Sequence, residues 1–161
     1  MAIRQTIIII LSVLLLTGCT ETTTGRGVKQ LDVDEIIETK RLAEEAYEQQ
    51  EWEQVVVLNL KLIESLPAEP EPYFKLGNAY ARLEQHGMAE RAYKEALFRD
   101  KENAKIWHNL GVTQMRLAAM TLLEMQDYTE PKDELSVRAR VLLMKLSEIL
   151  GEDFSGVVRP Q

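Results

Sequence analysis

The residue types that most often carry chemistry are scarce in this chain: one cysteine, Cys19, and two histidines, His86 and His108, among 161 residues. A lone cysteine has no disulfide partner within the chain, so its thiol is left for burial or for covalent modification. Gln85-His86-Gly87 reads as a turn, and His108 stands alone on a helical stretch, so neither histidine joins a ligand set of metal-binding spacing. The 26 acidic residues could supply a carboxylate pair for acid–base work, but most fall on expected helix surfaces, where a charge is ordinarily just solvated. There is no His-Glu-x-x-His and no Gly-x-Ser-x-Gly, and Gly25-Arg26-Gly27 does not lie between a strand and a helix as a phosphate-cradling loop would. This inventory points to a binding protein rather than an enzyme, with no metal and no cofactor.

What precedes Cys19 sets it apart. Arg4 is followed by the apolar run from Ile7 to Leu16 and then by Leu16-Thr17-Gly18-Cys19. The run falls short of the roughly 20 residues of a spanning helix and matches the roughly 7 to 15 of a secretory signal. The last four residues resemble the lipobox of bacterial lipoprotein precursors. That resemblance implies removal of residues 1–18, lipid on Cys19 as the first residue of the mature chain, and firm membrane attachment, since each buried methylene adds about 0.8 kcal/mol. Thr20 rather than Asp follows, which resembles the outer-membrane sorting class and implies the periplasmic face of the outer membrane. Residues 19–31, rich in Thr and Gly, are expected to form a flexible tether.

The net charge is -7, and the expected signal segment carries only Arg4, so the remainder is more acidic still. A nucleic-acid partner would require a basic stripe to displace counterions from phosphate, and this balance argues against one. Nor does it give any attraction to anionic lipid. The length is enough for one core.

From Asp32 onward apolar residues recur at helical spacing without strand-like alternation, which predicts an all-α domain over 32–150. Asp32 and Asp34 offer caps for a helix over about 35–49, and further helices are expected over 52–65, 71–83, 88–99, 104–125 and 132–150. Pro67 to Pro72 separates the second from the third, because proline tolerates a helix start but not its interior. Gly151 is a good terminal stop, and 151–161 is expected to be a disordered tail.

Within this domain Tyr73, Leu76-Gly77, Tyr80, Ala89, Tyr93 and Ala96 form a pattern whose first part returns 34 residues later as Trp107 and Leu110-Gly111. Glycine inside a helix costs about 1 kcal/mol relative to alanine. Gly77 and Gly111 are therefore expected where a partner helix presses close, with Ala89 and Ala96 serving the same need from the other side. Tyr73, Leu76 and Tyr80 share one helix face, as do Ala89, Tyr93 and Ala96, and the two faces should meet. Trp107 is expected to be buried in the same way, at about 3 to 5 kcal/mol on truncation. Leu42-Ala43, Val55, Leu62 and Pro67 form a weaker copy one period earlier. These residues resemble the tetratricopeptide repeat, over roughly residues 36 to 137. The resemblance implies a short solenoid of helical hairpins, and the final helix would close it with one polar face. The third copy departs from the pattern after Gly111, with Leu123, Asp127 and Glu130 at the places of small, aromatic and small residues.

In the tetratricopeptide family the first helices of successive repeats line a concave groove that holds a segment of a partner. Mapped by period, that surface would carry Lys40, Glu44 and Tyr47, then Phe74, Asn78 and Arg82, then Lys105, His108, Val112, Met115 and Arg116. The Lys-Asn-Asn-Lys-Arg clamp by which some relatives hold a C-terminal carboxylate is not reproduced: Lys40, Asn109 and Lys105 fit it, but Glu44 and Lys75 stand where asparagines belong. Fold and anchor together imply a membrane-anchored scaffold that binds another envelope protein and assists assembly of a machine such as a pilus or secretion system. The alternative is an adaptor for peptidoglycan hydrolases or synthases. The open ends of the array also offer themselves to a second copy as a homo-oligomer.

Overall fold

The computed structural model describes residues 31–152. Cys19, the expected signal segment, residues 19–30 of the expected tether and residues 153–161 lie outside them. Among the described residues the chain is all helical: α1 (Val33–Glu48), α2 (Trp52–Ser65), α3 (Pro70–Arg82), α4 (His86–Arg99), α5 (Ala104–Met125), a 3-10 turn (Gln126–Tyr128) and α6 (Glu134–Leu150).

Local chemistry sets these ends. Asp32 Oδ1 accepts from the Glu35 N–H at 2.8 Å and the Glu35 carboxylate accepts from the Asp32 N–H at 3.1 Å, a capping box that starts α1 two residues earlier than expected. Leu31 donates its N–H to Ser65 Oγ at 3.2 Å, so the last residue of the expected tether is tied to α2. Pro70 opens α3 from its first turn, where a missing N–H costs nothing. His86 opens α4 rather than lying in the preceding turn, which is made by Leu83, Glu84 and Gln85. That turn and its counterpart one period earlier share one construction. Gln50 and Glu84 take left-handed φ of 60° and 58°, and the Glu51 and Gln85 N–H groups reach back to the Ala46 and Tyr80 carbonyls at 2.9 Å. Both are Schellman ends built without glycine.

Each helix packs on the next in sequence, and α3 also packs on α5, which makes a short tetratricopeptide-type solenoid. One core cluster joins α1, α2 and α3 through Ala43, Ala46, Val55, Leu58, Leu62 and Ala79. The other joins α3, α4 and α5 and contains Tyr73, Leu76, Tyr80, Ala89, Tyr93, Ala96, Ile106 and Leu110. At its centre a Cβ added to Gly77 would lie 2.5 Å from the Tyr93 ring, so the glycine is what admits the aromatic. One period earlier Ala43 and Asn59 hold the two places, and both are buried: a larger residue on one helix goes with a smaller one on the other.

Two expectations are corrected in the third repeat. Trp107 is 55% exposed where its counterpart Tyr73 is 9% exposed, and nothing lies within 4 Å of a Cβ added to Gly111. Both follow from the length of α5. The chain turns back only after Met125, and α6 returns along α5 to end beside Arg116, whose guanidinium meets the Glu152 carboxylate at 2.6 Å. The part of α5 that carries Trp107 and Gly111 thus has no second helix of its own repeat. Truncating Trp107 therefore removes less buried surface than truncating Tyr73 would.

Nor does α6 present one polar face to solvent. It buries Ser136, Ala139 and Leu143 and leaves Leu135, Leu142 and Ile149 exposed on one flank, with Val137, Val141 and Met144 on the other. Gly151 ends it at φ 66°. Glu152 is held both by Arg116 and by the Ser147 hydroxyl, which donates to its carbonyl, so Gly151 and Glu152 belong to the folded unit rather than to a loose tail.

Candidate protein-binding groove

The first helices α1, α3 and α5 lie side by side and frame an open recess of about 310 Å³ whose wall includes Tyr47, Asn78, Arg82, His108, Asn109 and Arg116. A shallower depression of about 460 Å³ shares Tyr47, Asn78, His108 and Asn109 and adds Phe74 and Lys105. A third, of about 450 Å³, continues from Arg82 and Arg116 toward His86, Met120 and Glu152.

Asn78 organises the wall. Its Nδ2 donates to the Tyr47 hydroxyl at 3.0 Å, and its Oδ1 accepts from the Tyr93 hydroxyl at 2.9 Å and from Asn109 Nδ2 at 2.8 Å. Asn109 Oδ1 lies 3.1 Å from His108 Nδ1. One amide thereby joins all three repeats and holds the groove's polar atoms in place before any ligand arrives. Two of these bonds, 47 to 78 and 78 to 109, span 31 residues, as does the ion pair between Glu44 and Lys75. The spacing is one 34-residue period less about one helical turn, the offset between neighbouring first helices.

The cations differ in how they are engaged. Lys75 is taken up by Glu44, with Glu71 at 3.6 Å, so the two residues that depart from the carboxylate clamp neutralise each other. Arg116 is paired with Glu152. Arg82 is exposed and lies 5.6 Å from the centroid of the Trp52 ring. Burial pushes the Tyr93 phenol up to about 12, and burial, reinforced by the Arg116 charge, holds His86 below the usual imidazole value. Among the described residues no group of three or more His, Cys, Asp and Glu side chains is placed to hold a metal ion.

Of the residues expected in the groove, Tyr47, Phe74, Asn78, Arg82, Lys105, His108, Val112 and Arg116 line it. Glu44 lines none of these cavities and is paired with Lys75. Exposed Lys40 and half-buried Met115 line none of these cavities. Cys19 lies outside the described residues. Asn109, which fits one position of the carboxylate clamp, lines the groove as well, and Tyr93, expected only in the repeat packing, reaches its wall.

No family model matches this chain, and no curated protein matches it. Among solved structures, the first TPR of Spaghetti (RPAP3) bound to HSP90 peptide SRMEEVD is similar, with a TM-score of 0.49 and 19% identity over 76% of this chain and 100% of that one. The helical hairpins, their period and the buried signature carry the fold assignment themselves. A pre-set concave wall of amides, hydroxyls and cations has the make-up of a protein-interaction module.

Proposed function

We propose that this chain is a lipid-anchored adaptor of the bacterial envelope that holds a segment of another envelope protein in the groove of α1, α3 and α5 and so assists assembly of a machine such as a pilus or secretion system. The observation that carries the reading is the groove itself. Arg82, Lys105 and His108 stand beside a wall fixed by Asn78, on a chain whose net charge is -7. A cationic recess favours segments that bring carboxylates. The Leu16-Thr17-Gly18-Cys19 sequence supports the membrane half of the reading.

Mild crosslinking in the native membrane, comparing wild type with Arg82→Glu/His108→Glu, tests the groove. Both side chains are exposed, so the fold tolerates the change. The expected result is a secretin or pilus component captured by wild type and lost in the variant. Equal capture by both proteins rejects the groove, and capture of cell-wall enzymes rejects the assembly role. Cys19→Ser is expected to move the protein from the membrane to the soluble fraction; a variant still sedimenting with membranes rejects the anchor.

A further inference from the structure

The chain supplies a carboxylate to its own groove. Gly151 ends α6 at φ 66°, the left-handed conformation that glycine takes most easily, and the reversal brings Glu152 back against α5. The Glu152 N–H donates to the Ser147 carbonyl at 3.2 Å and the Ser147 hydroxyl donates to the Glu152 carbonyl, so Ser147 holds both backbone groups of Glu152. The side chain then meets Arg116, whose Nε donates to Glu152 Oε1 at 2.6 Å. Arg116 belongs to two hollows at once. It lines the recess between the first helices and also the depression that continues toward His86 and Met120, whereas Glu152 lines only the depression. Exposed Arg82 is the other cation shared by both, and it stands one 34-residue period before Arg116, at the same register of the neighbouring first helix. The pair between Arg116 and Glu152 keeps 29% and 34% of its two side chains in solvent. An ion pair so exposed is screened by water and adds little to stability, so it can be exchanged while α6 stays packed on α5 through Ser136, Ala139 and Leu143.

We infer that Glu152 is a built-in competitor for the groove: it occupies Arg116 in the free protein and is displaced when an acidic segment of a partner binds across Arg82 and Arg116. The inference rests on the groove reading given above and adds to it the form of the ligand and a threshold that the ligand must pass. Helices in contact lie roughly 8 to 10 Å apart, and α3 packs on α5, so the two arginines are about that far from each other. An extended chain advances about 3.3 Å per residue, so the segment that reaches both carries acidic residues roughly two or three positions apart. Exchange leaves the number of ion pairs at Arg116 unchanged, since the partner's carboxylate takes the guanidinium and Glu152 goes to water. A neutral segment gains nothing by opening the latch, and a segment with one acid can use Arg82 and leave it shut. Because Glu152 is tethered beside Arg116, its effective concentration there is fixed and high whatever the concentration of the partner. The latch thus weakens the binding of every ligand that uses Arg116 and leaves the rest untouched.

The probe is a fluorescein-labelled peptide, Leu-Ser-Glu-Asp-Glu-Ser-Leu, with its Gln-Asn-Gln counterpart as the neutral control, titrated with the full chain and read by fluorescence anisotropy. Glu152→Gln keeps the shape of the side chain and is expected to raise affinity for the acidic peptide by about two- to five-fold, with no gain for the neutral one. Glu84→Gln removes the same charge from the wall of the same depression without disturbing the pair, and is expected to bring no comparable gain. In an Arg116→Gln protein, Glu152→Gln should change nothing, because no guanidinium is left to release. The inference is overturned if Glu84→Gln matches the gain of Glu152→Gln, since the effect is then one of net charge, or if the gain persists in the Arg116→Gln protein. If wild type binds the acidic peptide, loses it on Arg82→Glu/His108→Glu and is indifferent to Glu152→Gln, the latch is wrong and the groove stands. If neither wild type nor Glu152→Gln binds it, the groove reading fails and the latch with it.

Discussion

Gly77 and Gly111 have the same sequence surroundings and opposite neighbours, and substitution separates them. Alanine at 77 puts a Cβ 2.5 Å from the Tyr93 ring, and a buried ring held by its hydroxyl bond to Asn78 has little room to retreat. A loss of about 1 to 3 kcal/mol is expected, as for other overpacked cores. Alanine at 111 meets nothing and replaces an interior helical glycine, so a gain of up to about 1 kcal/mol is expected. Urea denaturation of the two variants checks both signs. Tyr93 makes a further prediction at this scale. Burial pushes its phenol up to about 12, above the 10.0 of a free phenol, so the folded state holds the phenolic proton more tightly than the unfolded one. That contribution is complete below the unfolded pKa and is lost as pH rises through the window between them. Stability against urea should therefore fall between pH 10 and 12, and Tyr93→Phe should show a smaller fall across that window.

The helices themselves were legible from apolar period and punctuation: prolines at 70 and 72, an aspartate before α1 and a glycine after α6 each mark a boundary for a local reason. The burial of Trp107 was not, because a repeat signature says what a side chain would touch only if the opposing helix exists, and α5 runs on where that helix should start. The groove wall was half legible. Residues mapped by the 34-residue period and the clamp asparagine Asn109 reached it, while Tyr93 was read from its spacing as a packing ring only and its hydroxyl's bond to Asn78 was not visible there. The Schellman turns were hidden for another reason, in that Gln50 and Glu84 hold left-handed positions usually given to glycine. Gln50→Gly and Glu84→Gly should each raise stability by a few tenths to about 1 kcal/mol, the relief of backbone strain exceeding the added freedom of the unfolded chain. The turns are well separated, so the double variant should show the sum, read as a shift in thermal midpoint.

Cohesion varies along the whole molecule. The helices α3 and α4 share the larger core cluster with α5, whereas α6 packs on α5 and leaves six large apolar side chains in solvent. Regions with few buried apolar contacts open at lower free energy than the rest. Native-state hydrogen exchange should accordingly find the α6 amides exchanging faster than those of α3 and α4; equal protection would mean that the molecule opens only as one unit. The junction at Asn78 bears on the opposite property, resistance to deformation. A stack of hairpins in which each repeat touches only its neighbours bends like a spring. Asn78 is a rivet across that spring: spreading α1 from α3, or α3 from α5, strains a bond to the same amide. A load applied along the stack would thus meet its stiffest point at the groove, and Asn78→Ala would turn a rigid cradle into a compliant one without removing a single charge.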